Sequence, residues 1–116
     1  MNIEKVKAQM RKGVLEYCIL SIIADKEVYA SDIIQKLKDA KLIVVEGTMY
    51  PLLTRLKNDG LLSYRWEESR SGPPRKYFQI TEKGMESLTV LDKSWLGLVE
   101  AVSKLSANNN IQKDIK

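Results

Sequence analysis

The residues best placed to do chemistry in this chain are hydrogen-bond donors and cations, not nucleophiles. In "EGTMYPLLTRLKNDG", residues 46–60, Met49, Leu52, Leu53 and Leu56 recur at helical spacing, and the opposite face carries Thr48, Pro51, Thr54, Arg55 and Asn58. Thr and Asn side chains can bond base edges, and Arg can fork onto guanine or grip a phosphate. Tyr50 fits two roles equally, as a packing residue or as a phosphate donor through its hydroxyl. A second cluster, residues 69–77, holds Arg70, Arg75 and Lys76 and no acid, a local charge of +3. Histidine is absent, which removes the commonest general base and the commonest metal ligand. With Cys18 as the lone thiol there is no thiolate/imidazole metal cluster. No carboxylate stands beside a recognisable nucleophile or phosphate loop. The pattern is that of a binding surface with no catalytic residue, metal or cofactor.

The elements that must position these residues follow from periodicity. Residues 3–24 read as a first helix whose apolar arc widens toward its C-terminal half. Residues 24–31 read as a loop. Residues 30–40 read as a short second helix with Ile33, Ile34 and Leu37 inward, and residues 42–45, "LIVV", as a brief strand. The third helix contains Pro51, which has no N–H to give. A helix leaves its first N–H groups without internal partners. A start with Thr48 as N-cap therefore costs no bond, and a start with Gly47 as cap costs one. After Gly60 the period becomes two, with Leu62, Tyr64 and Trp66 alternating with polar residues. "ESRSGPPR" breaks the pattern as a long turn, and "KYFQI" resumes it. Trp66 reads as a packing residue of this hairpin.

Thr81 then caps a final helix of about 25 residues, or about 37 Å at ~1.5 Å per residue. Leu88, Leu91, Trp95, Leu98, Val102 and Leu105 are spaced 3, 4, 3, 4 and 3 apart. That is an a/d seam, and a small domain has no use for so long a helix in its own core. The seam calls for a second helix to cover it.

Helix, helix, short strand, helix and hairpin in that order describe a winged helix-turn-helix, whose third helix enters the major groove of double-stranded DNA while the hairpin, as wing, reaches the flanking backbone. The fold class expected is mainly α with a small β-hairpin: a winged-helix domain over residues 1–80, a C-terminal dimerisation helix over 81–107 and a disordered polar tail over 108–116. The charge balance agrees, with 19 Lys and Arg against 15 Asp and Glu, a net +4 and a pI of about 9.2. The excess is moderate, so its placement matters more than its size. Lys5, Lys7, Arg11 and Lys12 read as a solvated helix face or an added backbone contact. A lone cysteine, no apolar leader and no span of roughly 18 apolar residues point to a soluble cytoplasmic protein with no membrane partner.

The stretch "GTMYPLLTRLKNDGLL" followed by "GPPRKYFQITEKG" resembles the PadR-like transcriptional regulators. Gly47, Thr48, Tyr50, Pro51, Leu52, Leu53, Arg55, Leu56, Gly60 and Leu61 match the family pattern, as do Arg75, Lys76, Tyr77, Thr81 and Gly84. The chain departs from it at Tyr29-Ala30-Ser31, where members often carry Gly-Tyr, and at Met49 and Phe78. The resemblance covers residues 10–107 and is to the smaller branch, with one C-terminal helix. It implies a homodimeric repressor on an inverted-repeat operator, with half-sites about one helical turn, roughly 34 Å, apart. In drug-responsive relatives a tryptophan on this helix lines a flat cavity between protomers, where planar apolar effectors stack. Trp95 matches that position, and two readings of it stay open: plain dimer packing, with Leu88 and Val102 in the same interface, or a small aromatic effector site lined by Val14, Cys18, Leu91, Trp95 and Leu98 where the first helix crosses. Two other readings of the whole chain also stand: a winged-helix protein-interaction module, and a small-molecule sensor without an operator.

Overall fold

The structure is a computed structural model that describes residues 1–42, 46–69 and 71–109. Seven elements follow in order: α1 (Ile3–Asp25), β1 (Val28–Tyr29), α2 (Ala30–Asp39), α3 (Glu46–Asn58), β2 (Leu62–Ser69), β3 (Gly72–Ile80) and α4 (Glu82–Leu105). The winged-helix architecture and the long C-terminal helix are as expected. Residues 43–45 of the expected short strand lie outside the described residues, and Leu42 has no regular structure.

α1 starts where Asn2 accepts the Lys5 N–H at 3.1 Å. Its N-terminal half is exposed, while Leu15, Ile19, Leu20 and Ile23 are buried, so the widening apolar arc does mark the packed half. α2 buries Ile33 and Leu37, and Asp32 accepts the Tyr29 N–H at 3.0 Å to close its first turn. It ends with Lys41 at φ 66 and a Leu42 N–H to Leu37 carbonyl bond of 2.8 Å. α3 ends the same way, with Gly60 at φ 80 and Leu61 donating to the Leu56 carbonyl at 2.9 Å. This is the left-handed C-cap conformation that favours glycine.

Three local readings are corrected. Residues 28–29 are not loop: β1 pairs antiparallel with β3, Val28 opposite Phe78 and Tyr29 opposite Tyr77, giving a three-stranded sheet in the order β1-β3-β2. The hairpin is not broken over residues 68–75 either. β2 and β3 pair out to Ser69 opposite Gly72, with an irregularity between Glu67 and Ser69, and Pro73 and Pro74 lie inside β3. Beyond β1's reach only β2 flanks β3, so a missing N–H is tolerated there. Finally, α3 already begins at Glu46, before either cap considered, which makes Pro51 its sixth residue. Pro51 therefore sits in the second turn and leaves the Gly47 carbonyl without its helical donor.

The core is one cluster built from α1, α2, α3, the sheet and the start of α4. The junction between α3 and α4 is its tightest point. Thr81 Oγ1 donates to the Gly60 carbonyl at 2.6 Å and accepts the Gly84 N–H at 3.0 Å, and Lys83 Nζ donates to the Asp59 carbonyl at 2.8 Å. A Cβ on Gly84 would stand 2.0 Å from the Leu61 carbonyl oxygen, whereas one on Gly97 would meet nothing within 4 Å. Gly84→Ala is therefore expected to lose about 2–3 kcal/mol through forced backbone movement. Thermal denaturation should show a Tm about 10 °C lower or more. Gly97→Ala in the same helix should raise it by a few degrees through helix propensity alone.

Candidate nucleic-acid interface

Burial of Met49, Leu52, Leu53 and Leu56 turns one side of α3 inward and leaves Thr48, Pro51, Thr54, Arg55 and Asn58 exposed, as expected, and Tyr50, for which packing and phosphate donation had both stood open, is exposed with them. They do not all converge. Tyr50 and Thr54 face the wing across an open groove of about 410 Å³, which Arg75 and Lys76 line from the opposite side. Arg55 lies toward α1, where its guanidinium forms an ion pair with Glu16. Thr48, Pro51 and Asn58 lie outside the groove lining, on the solvent face of the helix. Arg70 lies outside the described residues.

The cations of the wing rest on aromatic rings. Lys76 Nζ lies 4.4 Å from the centre of the Tyr64 ring and 5.5 Å from that of Trp66. Arg75 lies 5.1 Å over the Tyr29 ring. Such contacts hold a cation in place while leaving it charged toward solvent. Strand alternation explains the arrangement: Trp66 pairs with Lys76 and Tyr64 with Phe78, so these four share the face turned to α3. The other face carries Arg65, which donates to Glu27 at 3.1 Å, lies 3.4 Å from Glu67 and stacks over Tyr77 at 4.7 Å. Arg65 is thus matched by acids; Arg75, opposite Glu67 in the register, springs from this same face and only borders the groove, so Lys76 is the wing cation that the groove face itself presents.

The groove adds residues that the sequence pattern did not bring forward. Lys57 lines it and lies 5.2 Å over the Tyr64 ring. Its place seven residues after Tyr50 and three after Thr54 puts it on the same flank of α3, which was the available signal. Ala30 and Ser31, at the first turn of α2, close the far end. Trp66 is 60% exposed and meets Tyr64 edge-on at 6.1 Å, so it forms groove wall more than hairpin packing.

A second surface runs along α4. Trp95, Leu98 and Val102 are 40%, 55% and 53% exposed, an apolar seam open to solvent. Leu88 is corrected out of that seam: at 8% exposure it belongs to the chain's own core, and Leu91 is half-buried beside it. Val14 and Cys18 on α1 are also half-buried, and burial pushes the Cys18 thiol up. Tyr17 reaches α4, donating to Asp92 Oδ1 at 2.5 Å with its ring 6.3 Å from Trp95. Among the described residues no group of His, Cys, Asp and Glu could hold a metal ion, and no helix is long and apolar enough to cross a membrane.

Residues 19–90 match the PadR-like family of transcriptional regulators. Among solved structures, a PadR-like transcription factor from Bacteroides fragilis is 62% identical, with 87% of this chain and 98% of that chain covered and a TM-score of 0.74. A PadR-like transcriptional regulator from Bacillus cereus is 43% identical over 84% of this chain and 95% of that chain, with a TM-score of 0.75. A PadR family transcriptional regulator from Eggerthella lenta is 30% identical over 92% and 94%, with a TM-score of 0.82. With the matched region running from the C-terminal half of α1 through the groove and into α4, the chain belongs to the PadR-like family of transcriptional regulators, and is a regulator rather than an enzyme.

Proposed function

We propose that this regulator is a cytoplasmic homodimeric repressor that binds an inverted-repeat operator, with α3 of each protomer in the major groove and each wing on the flanking backbone. The observation that carries this reading is the groove between α3 and the wing, where Tyr50, Thr54 and Lys57 face Arg75 and Lys76 across open space. A phosphate backbone entering there meets three cations, and the outer face of α3 lies against base edges. Thr48, Thr54 and Asn58 serve as base readers, and Tyr50, Lys57, Arg75 and Lys76 as backbone contacts. Pro51 stiffens the entry to the helix. Arg55 beside α1 extends the basic footprint.

The test is a mobility-shift titration against the chain's own promoter region over a range of salt. Arg75→Ala with Lys76→Ala should weaken binding at every sequence and make the log–log salt slope shallower by about 2, one for each lost phosphate contact. Thr54→Ala should instead cost about 1–3 kcal/mol at particular operator positions and leave the slope unchanged. A slope that ignores the wing substitutions would favour a protein-interaction module over an operator reader.

The dimer reading rests on the exposed seam of α4. Light scattering at micromolar concentration should give twice the 13.2 kDa chain mass. Leu98→Asp with Val102→Asp places two charges in the seam and should return the monomer mass while the far-ultraviolet dichroism keeps its helical signal.

A planar apolar effector between the protomers is supported by one specific feature. The Trp95 ring is partly exposed and tilted against Tyr17 on the face that the seam marks for a partner. Planar aromatic dyes should quench tryptophan emission in the parent protein and not in Trp95→Ala. Quenching that survives the substitution would place the dye elsewhere, with Trp66 as the remaining tryptophan.

A further inference from the structure

α4 leaves the body of the molecule partway along its length. Leu88 is buried and Leu91 half-buried against the core, whereas residues 92–105 are all exposed. At that exit stands Tyr17 of α1, with its hydroxyl on Asp92 and its ring against Trp95. The position of the acid is unusual. Leu88, Leu91, Trp95, Leu96, Val99 and Val102 make a broad apolar face, and Asp92 is the charged residue set into it. Covered by a partner helix, an unpaired carboxylate there would oppose association, because burial penalises the charged form. Tyr17 supplies the donor that satisfies it. The same bond, with burial, holds the Tyr17 phenol above its ordinary range.

We propose that the Tyr17–Asp92 hydrogen bond, braced by the Tyr17–Trp95 ring contact, fixes the angle between the reading head and α4 and so selects the half-site spacing the dimer accepts. This rests on the dimeric operator-binding reading above and assigns it two positioning residues that act through α4. The lever is long enough to matter. Half-sites roughly 34 Å apart put each head about 17 Å from the dimer axis. A swing of about 10° then moves a head by about 3 Å, close to the ~3.4 Å step between base pairs. A swing of that size at the exit of α4 is therefore worth about one base pair of register.

Two measurements test this in parallel, on Tyr17→Phe, Asp92→Ala and Asp92→Asn. The last keeps an acceptor oxygen for Tyr17 and serves as the rescue. Spin labels on Lys38→Cys in a Cys18→Ala background report the head-to-head distance of the dimer without DNA. Titration of inverted repeats, lengthened or shortened at the centre one base pair at a time, reports the preferred spacing. Tyr17→Phe and Asp92→Ala should broaden the distance distribution. They should also lower affinity for the preferred spacing about tenfold, the scale set by losing one hydrogen bond to a charged group. Neighbouring spacings should change much less, so the preference flattens, and Asp92→Asn should behave as the parent. A distance distribution that stays sharp in both disrupted variants overturns the proposal, whatever DNA does. An equal loss at every spacing also overturns it, since that marks a merely stabilising contact. Should the parent bind no inverted repeat, the operator reading fails, and the distance distributions alone still decide whether Tyr17 and Asp92 set the angle.

Discussion

Everything that faces outward on α3 depends on what its inner side buries. Met49, Leu52, Leu53 and Leu56 are all within the core. Burying such side chains contributes about 1.5–3 kcal/mol each, so the four together supply about 6–12 kcal/mol. A domain of this size has about 5–15 kcal/mol of stability in total. The helix cannot rotate about its own axis without giving up free energy on the scale of the fold's whole net stability. The polar side is held outward by the same constraint, whatever its residues are. Thr48, Thr54 and Asn58 are then free to be chosen for what they touch outside the molecule, because none is needed for packing.

The second constraint is where α3 ends. Gly60 reverses the chain in the left-handed conformation, Leu61 bonds back to Leu56, and Thr81 and Gly84 close onto the same few residues. The C-terminus of the reading helix, the root of the wing and the N-terminus of α4 therefore meet at one closely packed corner. Gly84 lets the backbones approach so closely that no side chain fits between them. The wing is thereby set at a fixed place beside α3, and the groove between them is pre-formed. A pre-formed groove does not have to be ordered when a ligand arrives, which favours affinity.

Much of this was legible in the residues because the signals are local. The α3 stripe repeats within one helix, Gly60 and Thr81 act on the turns beside them, and the α4 spacing runs along one element. The misreadings share the opposite property. β1 is two residues long and exists because β3 lies beside it, so no pattern within residues 28–29 announces a strand. Pro73 and Pro74 look like a turn until β3 is seen to lack a second neighbour at that end. Leu88 has the seam spacing but falls where α4 still lies on the core, and spacing does not record how far a helix stays in contact. The partner of Arg55 is on α1, 39 residues earlier by number, and only tertiary packing brings Glu16 to it. Lys57 was within reach of helical spacing, but its importance depends on Tyr64 and on the wing coming to the same flank.

Placement of charge decides more here than its total. The chain carries a net +4, a small excess for a surface proposed to meet a polyanion. The sheet sorts it. Arg65 stands among Glu27 and Glu67 on one face, where Arg75 also springs from the strand and rests on the Tyr29 ring, while Lys76 on the other face rests on Tyr64 and Trp66. Arg55 is an intermediate case. Its pair with Glu16 is open to solvent, with the two side chains 57% and 36% exposed. Exposed pairs contribute about 0–1 kcal/mol and weaken with salt. A phosphate approaching α3 can replace Glu16 at small loss, so the pair does not withdraw Arg55 from a backbone contact. In the free protein it parks the guanidinium, shortens the search for a rotamer and lowers the bare charge beside α1. The same reasoning does not extend to Arg65, which two carboxylates and a tyrosine ring engage together. Of the two arginines, the one on α3, held by a single carboxylate, is the easier for an approaching phosphate to draw away.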